Sequence, residues 1–126
     1  MRKMSQKTSK KLYKKDLPND VRVSLKASQA KKGEGMVILD LKGISSFTDY
    51  FVIMHGNSKR QNVAICENVE RELKEKDIRP ESIEGRENAE WILMDYGNFI
   101  IHIFSKEARE YYSLEKLWGD APRLDF

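Results

Sequence analysis

Few side chains in this chain of 126 residues are of types that carry out proton transfer or covalent chemistry, and they do not converge. The two histidines, His55 and His102, stand far apart. His102 falls in the middle of an apolar run with no obvious partner, which suits a packed or interfacial histidine better than a general base. Cys66, the single cysteine, lies on the apolar side of a predicted helix and reads as a small buried hydrophobe rather than a nucleophile. One cysteine also excludes an intramolecular disulfide and a cysteine-rich zinc site, and a reducing cytosol is the expected setting.

Gly56-Asn57-Ser58 is the one stretch with the form of a phosphate cradle, because it precedes a predicted helix and helix N-termini attract anions. It is also similar to the Gly-Ser motif of nucleotidyltransferases. Those enzymes need paired carboxylates on a neighbouring strand to hold Mg²⁺. No Asp-x-Asp or Glu-x-Glu follows on a predicted strand; Glu67, Glu70, Glu72 and Glu75 fall on the helix instead. Gly56–Ser58 is therefore read as a turn and cap. With no P-loop, dinucleotide fingerprint or triad spacing either, the chain is expected not to be an enzyme and to use no cofactor or metal.

The elements that must position these residues follow from periodicity. Leu17-Pro18-Asn19-Asp20 reads as a helix start with Asp20 as cap, and Val21, Ser24, Leu25 and Ser28 share one face up to Gly33. Met36–Leu41 and Phe47–Met54 read as strands joined by a reversal at Lys42–Ser46. Asn57 or Ser58 caps a helix whose apolar side carries Ile65, Cys66, Val69 and Leu73, with Asn62 its polar member. Ile83–Arg86 suggests a short edge strand. Trp91–Tyr96 and Phe99–Phe104 flank Gly97-Asn98 as the clearest hairpin. Ser105 caps a last helix from Lys106 to about Tyr112.

The order predicts an α/β single domain: about five strands in a mixed sheet, flanked by helices, with a right-handed crossover at its strand–helix–strand part. Residues 1–16 are expected to be a disordered basic tail, 17–120 the folded domain, and 121–126 a C-terminal tail. Both hairpin strands are apolar on both faces, where a strand covered on one side alternates. The sheet must therefore be covered twice, and the predicted helices fall short of that. A partner protein is expected to supply the remaining cover.

Charge sharpens the division. The formal net charge of +3 hides seven basic residues and no acid within 1–15, namely Arg2, Lys3, Lys7, Lys10, Lys11, Lys14 and Lys15. Residues 16–126 then hold 16 basic and 20 acidic side chains, a net of about −4. The tail is expected to be solvated and to make at most weak contacts with RNA phosphates. The acidic body argues against an RNA-reading face. No apolar run approaches the roughly 20 residues a bilayer needs, and no signal-peptide pattern is present, so no membrane association is expected. Both tryptophans and three of the five tyrosines gather late in the chain, beside Arg109 and the doubly apolar hairpin. That composition fits a protein-binding hot spot as well as a core.

Taken jointly, several of these stretches resemble the Iojap family, the ribosomal silencing factors. They are Asp49-Tyr50-Phe51-Val52-Ile53 with Gly56-Asn57-Ser58, Glu84-Gly85 with Trp91-Ile92-Leu93-Met94-Asp95-Tyr96-Gly97, and His102-Ile103-Phe104 with Arg109, Tyr112, Leu114-Glu115 and Leu117-Trp118. The resemblance spans about residues 20–120. It implies a nucleotidyltransferase-like fold without the active site. It also implies a cytoplasmic protein that binds the fourteenth large-subunit ribosomal protein on the intersubunit face. There it would block small-subunit joining and repress translation under nutrient limitation, with homodimers off the ribosome. By position, the implied contact surface is Glu90, Trp91, Asp95, Tyr96 and Gly97, with His102, Arg109, Tyr112, Leu114, Glu115 and Trp118 contributing or supporting. Two readings compete: a nucleotide- or RNA-binding module using Gly56–Ser58 and the tail, and a generic dimerisation domain.

Overall fold

The β-branched and aromatic runs of the sequence pair into one sheet of six strands, and the amphipathic segments pack on it as helices. The structure, a computed structural model, describes residues 11–126. A 3-10 turn at Lys14–Asp16 leads into α1 (Asn19–Ala30), β1 (Glu34–Asp40), β2 (Tyr50–Gly56), α2 (Lys59–Lys74), β3 (Ser82–Glu84), β4 (Trp91–Asp95), β5 (Phe99–Ser105), α3 (Lys106–Tyr112), α4 (Leu114–Leu117) and β6 (Arg123–Asp125). The sheet order is β3-β4-β5-β2-β1-β6. Only β2 and β5 run parallel, in register from Tyr50 opposite Phe99 to Gly56 opposite Ser105. The other neighbours are antiparallel.

The expected mixed sheet with flanking helices is present, with six strands rather than about five. The additional strand comes from 121–126, which is no tail: Ile38 pairs with Leu124 on the free edge of β1, and Ala121 is buried. Three residues bounded by charges carry too little pattern to be read as a strand until the β1 edge offers them hydrogen bonds. The N-terminal boundary shifts likewise. Residues 1–10 lie outside the described residues, so most of the expected tail does too. Residues 11–16 are already anchored, because Leu12 and Leu17 are buried with Val21 and Leu25 of α1. The flanking lysines hid this pair of apolar anchors.

Local chemistry accounts for the helix starts. Ser58 Oγ accepts from the Gln61 backbone N–H at 3.0 Å, and Gln61 Oε1 accepts from the Asn57 N–H at 2.6 Å, a reciprocal arrangement close to a capping box. Ser105 Oγ accepts from the Ala108 N–H at 3.1 Å. Asp20, expected as a cap, lies one residue inside α1. Pro18 stands at the cap position instead, where a fixed φ suits the helix entry and no N–H is wasted.

The sheet separates two cores. On one face α1 and α2 cover Ile38, Val52, Met54, Ile92, Met94, Phe99, Ile101 and Ile103. The opposite face holds Val37, Leu39, Phe51, Ile53, Ile100 and Phe104, covered by the short C-terminal helices, with Trp91, Leu93, Leu114 and Trp118 only partly buried. Each fully buried Leu, Ile or Phe contributes about 1.5–3 kcal/mol, so the first face anchors the domain. The second is incompletely covered.

A half-covered aromatic face

The incomplete cover on the second face is an aromatic band. Trp91 opens β4 opposite Phe104 of β5. Its ring lies 5.0 Å from that of Phe104 and 4.6 Å from that of Tyr112. Its Nε1–H donates to His102 Nδ1 at 3.0 Å. His102 in turn meets Phe51 edge-on at 4.4 Å, and Phe51 and Phe47 both approach Trp118, at 6.0 and 6.5 Å. Phe47 is 60% and Tyr112 48% exposed, so the band runs from core to solvent rather than ending inside. Leu93, opposite His102 in register, lies on the same face.

A tight loop sets Trp91 in place. Gly85 and Ala89 both adopt left-handed backbone, with φ of 84° and 60°, and the Ala89 N–H donates to the Gly85 carbonyl at 2.8 Å. A Cβ on Gly85 would run into the Trp91 backbone carbonyl. From α2, the Asn62 Nδ2 donates to the Ala89 carbonyl at 2.9 Å. Arg86 donates to Glu70 at 2.8 Å.

His102 is buried and neutral. Burial pushes its pKa down to about 3. Since Nδ1 accepts from Trp91, the ring proton sits on Nε2, which finds no partner. A ring in that state orients Trp91 but cannot act as a base near neutrality.

Arg109 and Glu115 hold the face from behind. The guanidinium donates to both Glu115 carboxylate oxygens, at 3.1 and 2.9 Å, and contacts His55 Nδ1 at 2.8 Å. It lies against Gly35, where a Cβ would come within 2.7 Å of it. The two side chains are 12% and 22% exposed. This fork joins α3, α4 and β2 across the left-handed Ser113 (φ 47°). Burial first, then the Arg109 charge, lowers the His55 pKa.

The sequence-derived candidates therefore divide. Trp91, His102, Tyr112, Leu114 and Trp118 come together on one face. Arg109 and Glu115 lie beneath its helices. Glu90 sits at its margin, 3.7 Å from Lys59, and Asp95 shares the Trp91 side of β4 about 13 Å along the strand. Tyr96 does not join them: it stacks on Phe99 at 5.1 Å within the opposite core. Gly97 is the hairpin turn, with φ 88°; its carbonyl accepts from Thr48 Oγ1 at 2.9 Å. Phe47, Phe51 and Leu93 were not singled out in the sequence. Leu93 was accessible to strand alternation from Trp91, whereas the two phenylalanines depend on how β2 lies beside β5.

At Gly56–Ser58 the polar side chains are engaged internally: Ser58 Oγ accepts in the cap, and Asn57 Nδ2 donates to the Glu34 carboxylate at 3.1 Å. Among the described residues, no three His, Cys, Asp or Glu side chains cluster as metal ligands, and no helix is long and apolar enough to cross a membrane.

Residues 14–126 match the family model described as "Ribosomal silencing factor during starvation". The ribosomal silencing factor of Halalkalibacterium halodurans is 43% identical over 105 residues, covering 83% of this chain and 90% of that protein. A mouse protein named for mitochondrial assembly of the ribosomal large subunit is 39% identical over 75 residues, 57% of this chain and 33% of its own length. A crystal structure of a Chromobacterium violaceum protein superposes with a TM-score of 0.77 at 31% identity, covering 79% of this chain and 83% of that one.

Proposed function

This chain belongs to the family of ribosomal silencing factors, and from that membership we propose that it docks on the large ribosomal subunit by the aromatic face around Trp91. The partner is the fourteenth large-subunit ribosomal protein, on the intersubunit face, and the bound factor obstructs small-subunit joining. Translation is thereby repressed when nutrients run short. The action is steric, not catalytic.

The observation that carries this reading is the half-covered aromatic face itself. Trp91, Leu93, Tyr112 and Trp118 are packed against neighbours yet reach solvent. Aromatic anchors with little conformational entropy left to lose are what a binding hot spot needs. The mildly acidic body supports encounter with a basic ribosomal protein. The large-subunit role in the mouse relative's name agrees with the choice of subunit.

Isothermal calorimetry with the purified ribosomal protein tests the site. Trp91→Ala is expected to weaken binding by about 2 kcal/mol or more. Tyr96→Phe, on the opposite face, is expected to leave affinity unchanged. Unchanged affinity in a folded Trp91→Ala variant removes this face from the interface.

A further inference from the structure

The side of the sheet away from the aromatic face carries a second surface of different chemistry. Beside the β6 edge, a shallow groove of about 660 Å³ is lined by Lys14, Lys15, Asn19, Arg22, Val23, Lys26 and Phe126. Four of these seven are cations and none is acidic. Asn19, Arg22, Val23 and Lys26 follow the spacing of one face of α1, so the helix projects Arg22 and Lys26 one turn apart from the same side. The 3-10 turn sets Lys14 and Lys15 opposite them. Arg22 fixes that turn by donating to the carbonyls of Lys14 and Lys15 at 3.3 and 2.9 Å. The Lys14 ammonium lies 4.6 Å above the Phe126 ring.

No salt bridge among the described residues engages any of the four cations. The neighbouring acid Asp20 is engaged elsewhere, accepting from the Val21 N–H and from Asn98 Nδ2, and Asp16 does not line the groove. Concentrated positive charge without internal counter-charge destabilises the free protein and is relieved by an anionic partner. In sequence, this surface directly follows Arg2, Lys3, Lys7, Lys10 and Lys11.

We propose that this groove binds the phosphate backbone of RNA, independently of base sequence. Several separated cations along an open groove match a repeating polyanion better than a single phosphate ion. The apolar side chains lining the groove are Val23 and Phe126, too few for the continuous apolar face by which a surface seats in a membrane. The proposal rests on the ribosomal reading only for the identity of the nucleic acid. In the bound complex the aromatic face takes the protein and the basic groove takes a neighbouring RNA segment. The acidic balance of residues 16–126 conceals the part that Arg22 and Lys26 play in this surface, because charge counted along the chain says nothing about where it gathers.

Fluorescence anisotropy of the full chain with a short labelled RNA duplex tests the proposal. The groove variant is Lys14→Gln/Lys15→Gln/Lys26→Gln, with Arg22 kept because it holds the turn. The control is Lys74→Gln/Lys76→Gln/Lys116→Gln, an equal charge change at exposed positions elsewhere. The groove variant is expected to bind RNA about tenfold more weakly at moderate salt. Its log–log salt slope, measured between about 50 and 200 mM, should be shallower by roughly two to three. The control should change by less than about twofold. Equal losses in the two variants, no loss in the groove variant, or preference of the wild type for anionic vesicles or polyglutamate over RNA overturns the proposal. Circular dichroism establishes that each variant is folded. The groove variant should keep full affinity for the ribosomal protein, so failure here and failure of the aromatic face are read separately.

Discussion

At the scale of single residues, His102 and Tyr96 show how burial decides what a polar group does. An unfolded histidine takes up a proton near pH 6.5, whereas folded His102 resists it until about pH 3. Below pH 6.5 the unfolded chain therefore binds a proton that the native state refuses. The stability His102 permits is intact above pH 6.5 and declines as pH falls toward 3, by at most about 1.4 kcal/mol per pH unit. Urea unfolding at pH 7 and pH 5 should show a smaller loss for His102→Gln, a side chain that can still accept from Trp91 Nε1. Equal losses would mean that His102 does not carry this dependence. Tyr96 presents the simpler case, a buried hydroxyl without a partner. Tyr96→Phe removes an uncompensated polar atom, so its stability should match or exceed the wild type by up to about 1 kcal/mol. The family resemblance implied both residues in one contact surface; Tyr96 departs from it, because order along a chain does not show which side of a strand end a ring will take. The Trp91–His102 bond was equally hidden, since it depends on β4 and β5 pairing in a particular register.

At the scale of elements, periodicity carried most of the information. The amphipathic helix at Lys59–Lys74, the hairpin around Gly97 and the caps at Ser58 and Ser105 were legible because each is specified within a few residues of itself. β6 and the anchoring of Leu12 were not, because each gains meaning only from a distant surface. Deleting residues 121–126 should thus cost roughly 2–4 kcal/mol, since it uncovers the β1 edge and removes Leu124 and Phe126, which pack against the core. Denaturant unfolding decides this, and an unchanged midpoint would restore the tail reading. The Arg109–Glu115 fork has a similar standing. Arg109→Ala should destabilise the fold by about 2 kcal/mol or more, because it leaves Glu115 partly buried without its bidentate partner. Loss of the fork should also weaken partner binding indirectly, by loosening α3 and α4 beneath Tyr112 and Trp118.

At the scale of the whole molecule, the sheet sorts chemistry onto two sides. One side is closed by α1 and α2 and bears the basic groove. The other is closed by α3, α4 and the residues around them, and it leaves a packed aromatic band in contact with solvent. A doubly apolar hairpin predicted this deficit of cover from sequence, although it did not identify which rings would be left open. Family membership places the molecule among translation regulators, and the open face is the surface by which the proposed docking would obstruct another body. The most direct test is a sucrose-gradient assay with purified protein, large subunits and small subunits. The wild type is expected to migrate with large subunits and to lower the yield of joined ribosomes, while folded Trp91→Ala does neither. Undiminished subunit joining with the wild-type protein bound, or full repression by the Trp91→Ala variant, would contradict it.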